Sequence, residues 1–205
     1  MRVIAFVLAA AGLTAACSSP APADTPAPAA PAAAERQYLL ERIDDAAVVQ
    51  LYADGFEGLP LREKALIFHL YQAALAGRDI FIDQRHKDAL EMRGVLEQII
   101  VHPAGVDPAT LAEVQRYTKL FWINNGPYNN LTARKFVLTC APDAFAAAAR
   151  AAAGSGARLA TRPGESLDAM LARLQPMFFD PRVDPIVTNK NPGPGQDILL
   201  ASANN

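Results

Sequence analysis

The stretch DPATLAEVQRYTKLFWINNG, residues 107–126, decides the class of the fold. Asp107 is a favoured helix cap, and Pro108 suits the first turn, where its missing N–H would have no partner anyway. The apolar residues spaced to share one side of this helix are Leu111, Val114, Leu120 and Phe121. Asn125-Gly126 then favours a helix end. The stretch therefore predicts one complete amphipathic helix.

Similar start and stop signals recur along most of the chain. The other predicted helices cover residues 35–53, 60–77, 83–101, 142–154 and 166–175. Short strands are predicted only toward the C-terminal end, at residues 135–138 and 198–200. In the third helix, the predicted buried side consists of Leu90, Val95, Leu96 and Ile99. The sequence therefore predicts a mainly α fold.

Composition limits the number of domains and the classes of partner. The chain has 205 residues, of which 51% are hydrophobic and 20% charged, with a net charge of -2. Residues 1–34 differ in composition from the rest of the chain. About 170 residues follow them, a length that suits a single domain. A charge this small supplies no basic surface for phosphates, so general nucleic-acid binding is not expected.

The N-terminus has the pattern of an export signal. Arg2 precedes an apolar run over residues 3–16. As a helix that run would reach about 21 Å, short of the ~30 Å hydrocarbon core of a bilayer. Residues 1–16 are therefore predicted to be a signal peptide. The following residues 17–34 are rich in Ala and Pro and are predicted to be an extended tether.

The small residues before Cys17 resemble a bacterial lipobox, which predicts lipidation of the Cys17 thiol. Ser18 rather than Asp follows, which favours the periplasmic face of the outer membrane. The lipid would then be the only membrane attachment. The alternative is cleavage by the ordinary signal peptidase after Ala16 or Ala23, which would leave a soluble periplasmic protein.

Side chains that could perform chemistry are sparse. None of the histidines His69, His86 and His102 begins a His-Glu-x-x-His pair, so neither a metal site nor catalytic residues are predicted in this chain. His69 is expected to be a hydrogen-bonded core histidine. With Cys17 lipidated, Cys140 has no intramolecular disulfide partner and is expected to be a small buried apolar residue.

One stretch, residues 121–136, is unusually dense in aromatic and amide side chains. Amides presented by a rigid turn can pair with a peptide backbone, so this stretch is a candidate wall of a peptide-binding cleft. The candidate residues are Asn124, Asn125, Tyr128, Asn129 and Asn130. The alternative is that the amides cap the helix end and the turn.

Several blocks carry a family resemblance. They are DGFEGLPLREK (54–64), HLYQAALAGRDI (69–80), RYTKLFWIN (116–124), GPYNN (126–130), TNK (188–190) and PGPGQD (192–197). In this order they resemble the opening part of bacterial members of the dipeptidyl peptidase III family, over residues 37–205. The domain predicted over residues 35–205 is thus similar to the N-terminal part of a two-lobed zinc peptidase.

The resemblance implies a function for the complete family member. Members are zinc exopeptidases that release dipeptides from the N-terminus of short peptides. Their Zn²⁺ is held through a His-Glu-x-x-Gly-His motif and a later Glu-Glu-x-x-Arg-Ala-Glu segment, neither of which occurs in this sequence. The implied partners are short peptides and the remainder of a peptidase chain. This chain would be a truncated part that contributes scaffold and cleft wall.

Three hypotheses follow from these patterns. The first is the N-terminal part of a zinc dipeptidyl peptidase, inactive alone and binding no zinc. The second is a non-catalytic periplasmic lipoprotein that binds peptides or a partner. The third is a structural remnant that folds poorly.

The lipidation hypothesis has a direct test. Replacing Cys17 with Ser removes the thiol that would carry the lipid, so the Cys17→Ser protein is expected to leave the membrane fraction of expressing bacteria. Immunoblots of membrane and soluble fractions measure the distribution, and Cys140→Ser is the control. Unchanged membrane retention of the Cys17→Ser protein would contradict lipidation.

Overall fold

The structure, a computed structural model, describes residues 36–195, 197–198 and 202–203. The predicted signal peptide, Cys17 and the tether lie outside the described residues. The elements are β1 (Leu39–Ile43), β2 (Ala46–Val49), α1 (Leu61–Asp83), α2 (Ala89–Val101), α3 (Pro108–Asn124), α4 (Pro142–Gly154) and α5 (Leu167–Phe179). Within these described residues, five helices and one short hairpin confirm the predicted mainly α class.

The helix predicted over residues 35–53 is wrong, because this segment forms an antiparallel hairpin. β1 and β2 pair with Glu41 opposite Val48 and Ile43 opposite Ala46. Asp44 lies in the turn with φ 52°, a left-handed conformation that Asp tolerates better than most residues. Of the two strands, only Ile43 is buried. The apolar spacing that suggested a helix therefore does not correspond to a buried helical face.

The bounds predicted for α3 and α4 are confirmed, whereas three other helix ends differ. α1 continues past Gly77 to Asp83, since an interior Gly costs only about 1 kcal/mol and does not oblige a helix to end. Accordingly α2 begins at Ala89, later than predicted. α5 begins after its cap Ser166 as predicted, but it continues through Pro176. Met177 and Phe178 beyond this proline are buried, and the free energy of their burial offsets the loss of the backbone hydrogen bond that Pro176 cannot make.

The core lies among α2, α3, α4 and α5. The buried side of α2 consists of Ala89, Met92, Val95, Leu96 and Ile99, so three of the four predicted residues are confirmed and Leu90 is only partly buried. An aromatic group joins the helices: the ring centroids of Phe145 and Phe178 are 4.7 Å apart, and those of Tyr117 and Phe178 are 6.0 Å apart. These side chains are 3% exposed or less.

The strands expected toward the C-terminal end are corrected as well. Residues 135–138 form no strand; the region contributes only isolated bridges, between Tyr128 and Lys135 and between Arg134 and Ile186. Of the predicted strand 198–200, only Ile198 is described, and it lies in a turn. In the described part of the chain, the paired strands therefore lie before the helices.

α1 differs from the other helices in its burial. Ile82 is its only buried residue, and nearly all side chains from Ala65 to Phe81 are exposed. The large exposed apolar residues in this segment are Leu66, Ile67, Phe68, Leu70, Tyr71, Leu75, Ile80 and Phe81. Among the described residues, no helix combines the length and apolar character needed to cross a membrane.

Candidate peptide-binding cleft

The candidate cleft is built on the turn that follows α3. Asn125 ends the helix in the left-handed conformation, with φ 52° and ψ 43°, and Gly126 follows with φ 146°. The N–H of Gly126 donates to the carbonyl of Phe121 at 2.9 Å. A β-carbon at Gly126 would lie 3.2 Å from Cβ of Arg85, so glycine suits both the conformation and the space.

The structure brings together three of the five predicted wall residues. Asn124, Asn129 and Asn130 line one cavity of about 360 Å³. Tyr128 is fully buried beneath the turn, and Asn125 lines a different cavity, beside Trp122. The cavity walls are the hairpin turn at Asp44–Ala46, the end of α3 and the loop at residues 129–136.

Two of these amides hold the turn together. The Oδ1 atom of Asn124 accepts from the backbone N–H of Asn130 at 2.9 Å, while its Nδ2 donates to the carbonyl of Leu120. The Oδ1 atom of Asn129 accepts from the N–H groups of Leu131 and Thr132, both at 2.9 Å. These bonds match the alternative in which amides cap the helix end and the turn. In the described part of the chain, Nδ2 of Asn129 has no hydrogen-bond partner, so this donor is available to bond a ligand.

Arg85 fastens the turn to the chain that follows α1. Its Nη2 donates to the carbonyl of Tyr128 at 3.2 Å and to Oδ1 of Asn130 at 2.7 Å. The guanidinium lies 5.6 Å from the ring centroid of Phe81, within cation–π range. Burial lowers the pKa of Arg85 from its ordinary value. No local sequence pattern marks this residue, because its partners lie more than forty positions away along the chain.

A buried histidine lies beside Tyr128 of the turn, and it is His86, not the predicted His69. His69 is exposed on α1, so its predicted core position is wrong. His86 is 2% exposed. Its Nδ1 accepts from the N–H of Asp88 at 3.1 Å, and therefore Nε2 carries the proton and donates to Oδ2 of Asp184 at 3.1 Å. With both ring nitrogens bonded, His86 positions neighbouring groups instead of offering a free base.

Tyr128 and Lys135 connect the turn to the loop after α5. The Tyr128 hydroxyl donates to the carbonyl of Asp184 at 3.0 Å, and burial raises its pKa. The Lys135 ammonium donates to the carbonyls of Val183 and Pro176. Burial lowers the pKa of Lys135 to about 8, against the opposing attraction of nearby carboxylates. A strand was predicted at Lys135. In the structure this residue lies in the loop after α3, and its side chain contacts the end of α5 and the loop that follows it.

Ion pairs hold the hairpin against α3. The Nη1 atom of Arg116 lies 2.5 Å from Oδ2 of Asp44, and the Nζ atom of Lys119 lies 2.5 Å from Oε1 of Glu41. Arg116 also pairs with Glu113 one turn earlier on α3, which lowers the pKa of that carboxyl group despite its partial burial. Asp44 and the adjacent Asp45 both line the cavity.

Neither a metal-binding group nor an activated thiol is found among the described residues. Within residues 36–195 and the short described segments after them, no three His, Cys, Asp or Glu side chains are grouped so that they could hold a metal ion. Cys140, predicted to be buried, is half-buried, and desolvation raises the pKa of its thiol. A raised pKa disfavours the thiolate, the reactive form. The cavity lining itself contributes Asp45, Asn129 and Arg134, whose side chains are of types that hydrogen-bond ligands.

Comparisons with known proteins add no relative. No protein-family model matches the sequence, and no curated protein matches it significantly. The resemblance to the dipeptidyl peptidase III family therefore depends on the quoted sequence blocks alone.

The space at Gly126 predicts a sensitive position. Gly126→Ala adds a β-carbon in an unfavourable backbone conformation and against Arg85, so it is expected to lower the free energy of unfolding by about 1–3 kcal/mol. Urea denaturation measures the change. The control is Gly94→Ala within α2, where the space around the β-carbon is open and a gain of up to about 1 kcal/mol is expected. Equal effects at both positions would contradict the described turn.

The lowered pKa of Lys135 predicts a pH-dependent stability. The folded pKa of about 8 lies below the ordinary 10.5, so the unfolded chain binds the proton more tightly. The contribution of Lys135 is therefore complete above pH 10.5 and is lost as the pH falls through 8. Relative to Lys135→Met, the wild-type protein is expected to gain about 2 kcal/mol between pH 7 and 10. Urea denaturation across this range measures the difference, and a constant difference would contradict a buried ammonium.

Proposed function

We propose that this chain forms the N-terminal part of a zinc exopeptidase of the dipeptidyl peptidase III type. In this proposal it belongs to the lobe that faces the zinc lobe across a cleft, where it supplies scaffold and one wall of the peptide site. The ordered sequence blocks support the family. The structural observation that carries the proposal is the exposed apolar surface of α1.

α1 has the composition of a helix that is covered on several sides. Between Ala65 and Gly77 it contains no Asp, Glu, Lys or Arg. Leu66 is 57% exposed and Leu70 60% exposed, although helices that are apolar all round are normally buried within a larger protein. Exposed apolar patches beyond a few hundred Å² commonly mark an interaction surface. The block 69–80 lies within α1, so a segment that resembles the family is also one that calls for a covering partner.

The chemistry of the complete enzyme would come from outside the described residues. When bound in such an enzyme, Zn²⁺ polarises the scissile carbonyl and activates a water molecule. No residue of this chain is assigned as a ligand or as the general base. Its own contribution is the preorganised turn of Asn124, Asn129 and Asn130, whose backbone and amide groups are held at fixed positions beside the cavity.

A second candidate function is a non-catalytic periplasmic lipoprotein that binds peptides or a partner by itself. The observation that favours it is the cavity of about 360 Å³ beside the turn, a volume within the range of small-ligand sites. Anchoring through Cys17 and the tether 17–34 would then hold the binding domain at the outer membrane.

Two experiments test the first proposal. The DNA that follows the codon of Asn205 is expected to continue in frame to a His-Glu-x-x-Gly-His sequence, and an immediate stop codon would contradict the proposal.

The purified 205-residue chain is expected to hold no stoichiometric zinc and to release no dipeptide from a dipeptidyl arylamide. Metal analysis and the arylamide assay measure both, and zinc with hydrolysis would overturn the inactive assignment.

A further inference from the structure

We propose that the cavity beside the turn binds a small zwitterion, an α-amino acid or dipeptide with a free ammonium group and a free carboxylate. The proposal depends on unpaired donors and acceptors of opposite kind around one cavity. It rests on the second candidate function, binding by this chain itself, and gives that function a ligand class.

The carboxylate side is formed by Asn129 and Arg134. The Oδ1 atom of Asn129 is bonded to two backbone N–H groups, which fixes the amide plane and leaves Nδ2 as a positioned donor. The N–H of Asn129 donates to the carbonyl of Arg134 at 2.9 Å, so the two residues are neighbours across the turn. Throughout the described segments, the Arg134 guanidinium has no ion-pair partner. Guanidinium and amide donors together match the acceptors of a carboxylate.

The ammonium side is formed by the hairpin turn. Asp44 and Asp45 both line the cavity. Asp44 is paired with Arg116, whereas the exposed Asp45 carboxylate has no partner among the residues that the structure describes. Asp45 belongs to the hairpin and Arg134 to the loop after α3, so two residues of opposite charge line different sides of one cavity. A zwitterion satisfies both, whereas a simple cation or anion satisfies one.

The remaining lining suits an apolar side chain. Leu120, Ile123 and Phe136 line the cavity near the end of α3, and Leu131 at its rim is 95% exposed. A volume of about 360 Å³ falls within the range of small-ligand sites. A bound ligand would therefore cover this apolar surface. Its ammonium group would pair with Asp45, and its carboxylate would pair with Arg134.

The test uses four probes that each contain a leucine side chain: leucine, alanyl-leucine, N-acetyl-leucine and leucinamide. Titrations of the purified chain, followed by ¹H–¹⁵N NMR shifts, measure the affinities. Leucine or alanyl-leucine is expected to bind at least fivefold more tightly than both blocked forms, because each blocked form lacks one charge. The better of the two unblocked probes identifies the source of the zwitterion.

Matched variants assign the two sides. Asn129→Asp keeps the Oδ1 acceptor but replaces the donor with an oxygen that repels a carboxylate, so it is expected to weaken leucine binding at least fivefold. Arg134→Gln is expected to weaken leucine binding similarly while leaving leucinamide binding unchanged. Asp45→Asn is expected to abolish the preference for leucine over N-acetyl-leucine. The controls Asp143→Asn and Arg158→Gln remove exposed charges away from the cavity and are expected to change nothing.

The outcomes separate the proposals. No binding of the unblocked probes at millimolar concentration, or equal binding of blocked and unblocked forms, would overturn the zwitterion site. Neither result affects the in-frame zinc motif that the peptidase proposal expects. Variants that melt at the wild-type temperature exclude misfolding as the cause of lost binding.

Discussion

The hydrogen bonds that close the turn after α3 fix the geometry on which the candidate site depends. Asn124 and Asn129 turn their side-chain oxygens toward backbone N–H groups of residues 130–132, which gives these loop donors an acceptor within the turn. Arg85 and His86 then tie the turn and its surroundings to distant segments. A loop held at so many points presents its remaining donors without a large ordering cost on binding.

The molecule divides into a packed part and an exposed part. The core of α2 to α5 has fully buried aliphatic and aromatic side chains, whereas α1 exposes apolar side chains around most of its circumference. The exposed apolar side chains of α1 contribute little to the stability of the described fold, because burial of apolar surface is the main favourable contribution to folding. α1 therefore presents the largest run of exposed apolar side chains among the described helices, while the turn and its cavity depend on the packed part.

The sequence predicted correctly those helix bounds that depend on interactions between residues close together in the chain. The Asp107 side chain caps α3 through Thr110 within the first turn, and a proline begins both α3 and α4, so these local signals were sufficient. Residues 35–53 were mispredicted since apolar spacing cannot show that a segment lies at the surface. Likewise, nothing beside His69 or His86 in the sequence indicates which imidazole is buried. Three predicted amides meet at one cavity, but the roles of Arg85 and Lys135 depend on partners more than forty residues distant.

Hydrogen exchange at the turn tests this account most directly. Leu131 is almost fully exposed, yet its N–H and that of Thr132 donate to Oδ1 of Asn129. Both amides are therefore expected to exchange at least about tenfold more slowly than in an unstructured peptide, as measured by NMR. Conversion of Asn129 to Ala should remove that protection. Exchange of both amides at the unstructured rate in the wild-type protein would contradict a preorganised turn and the binding site built on it.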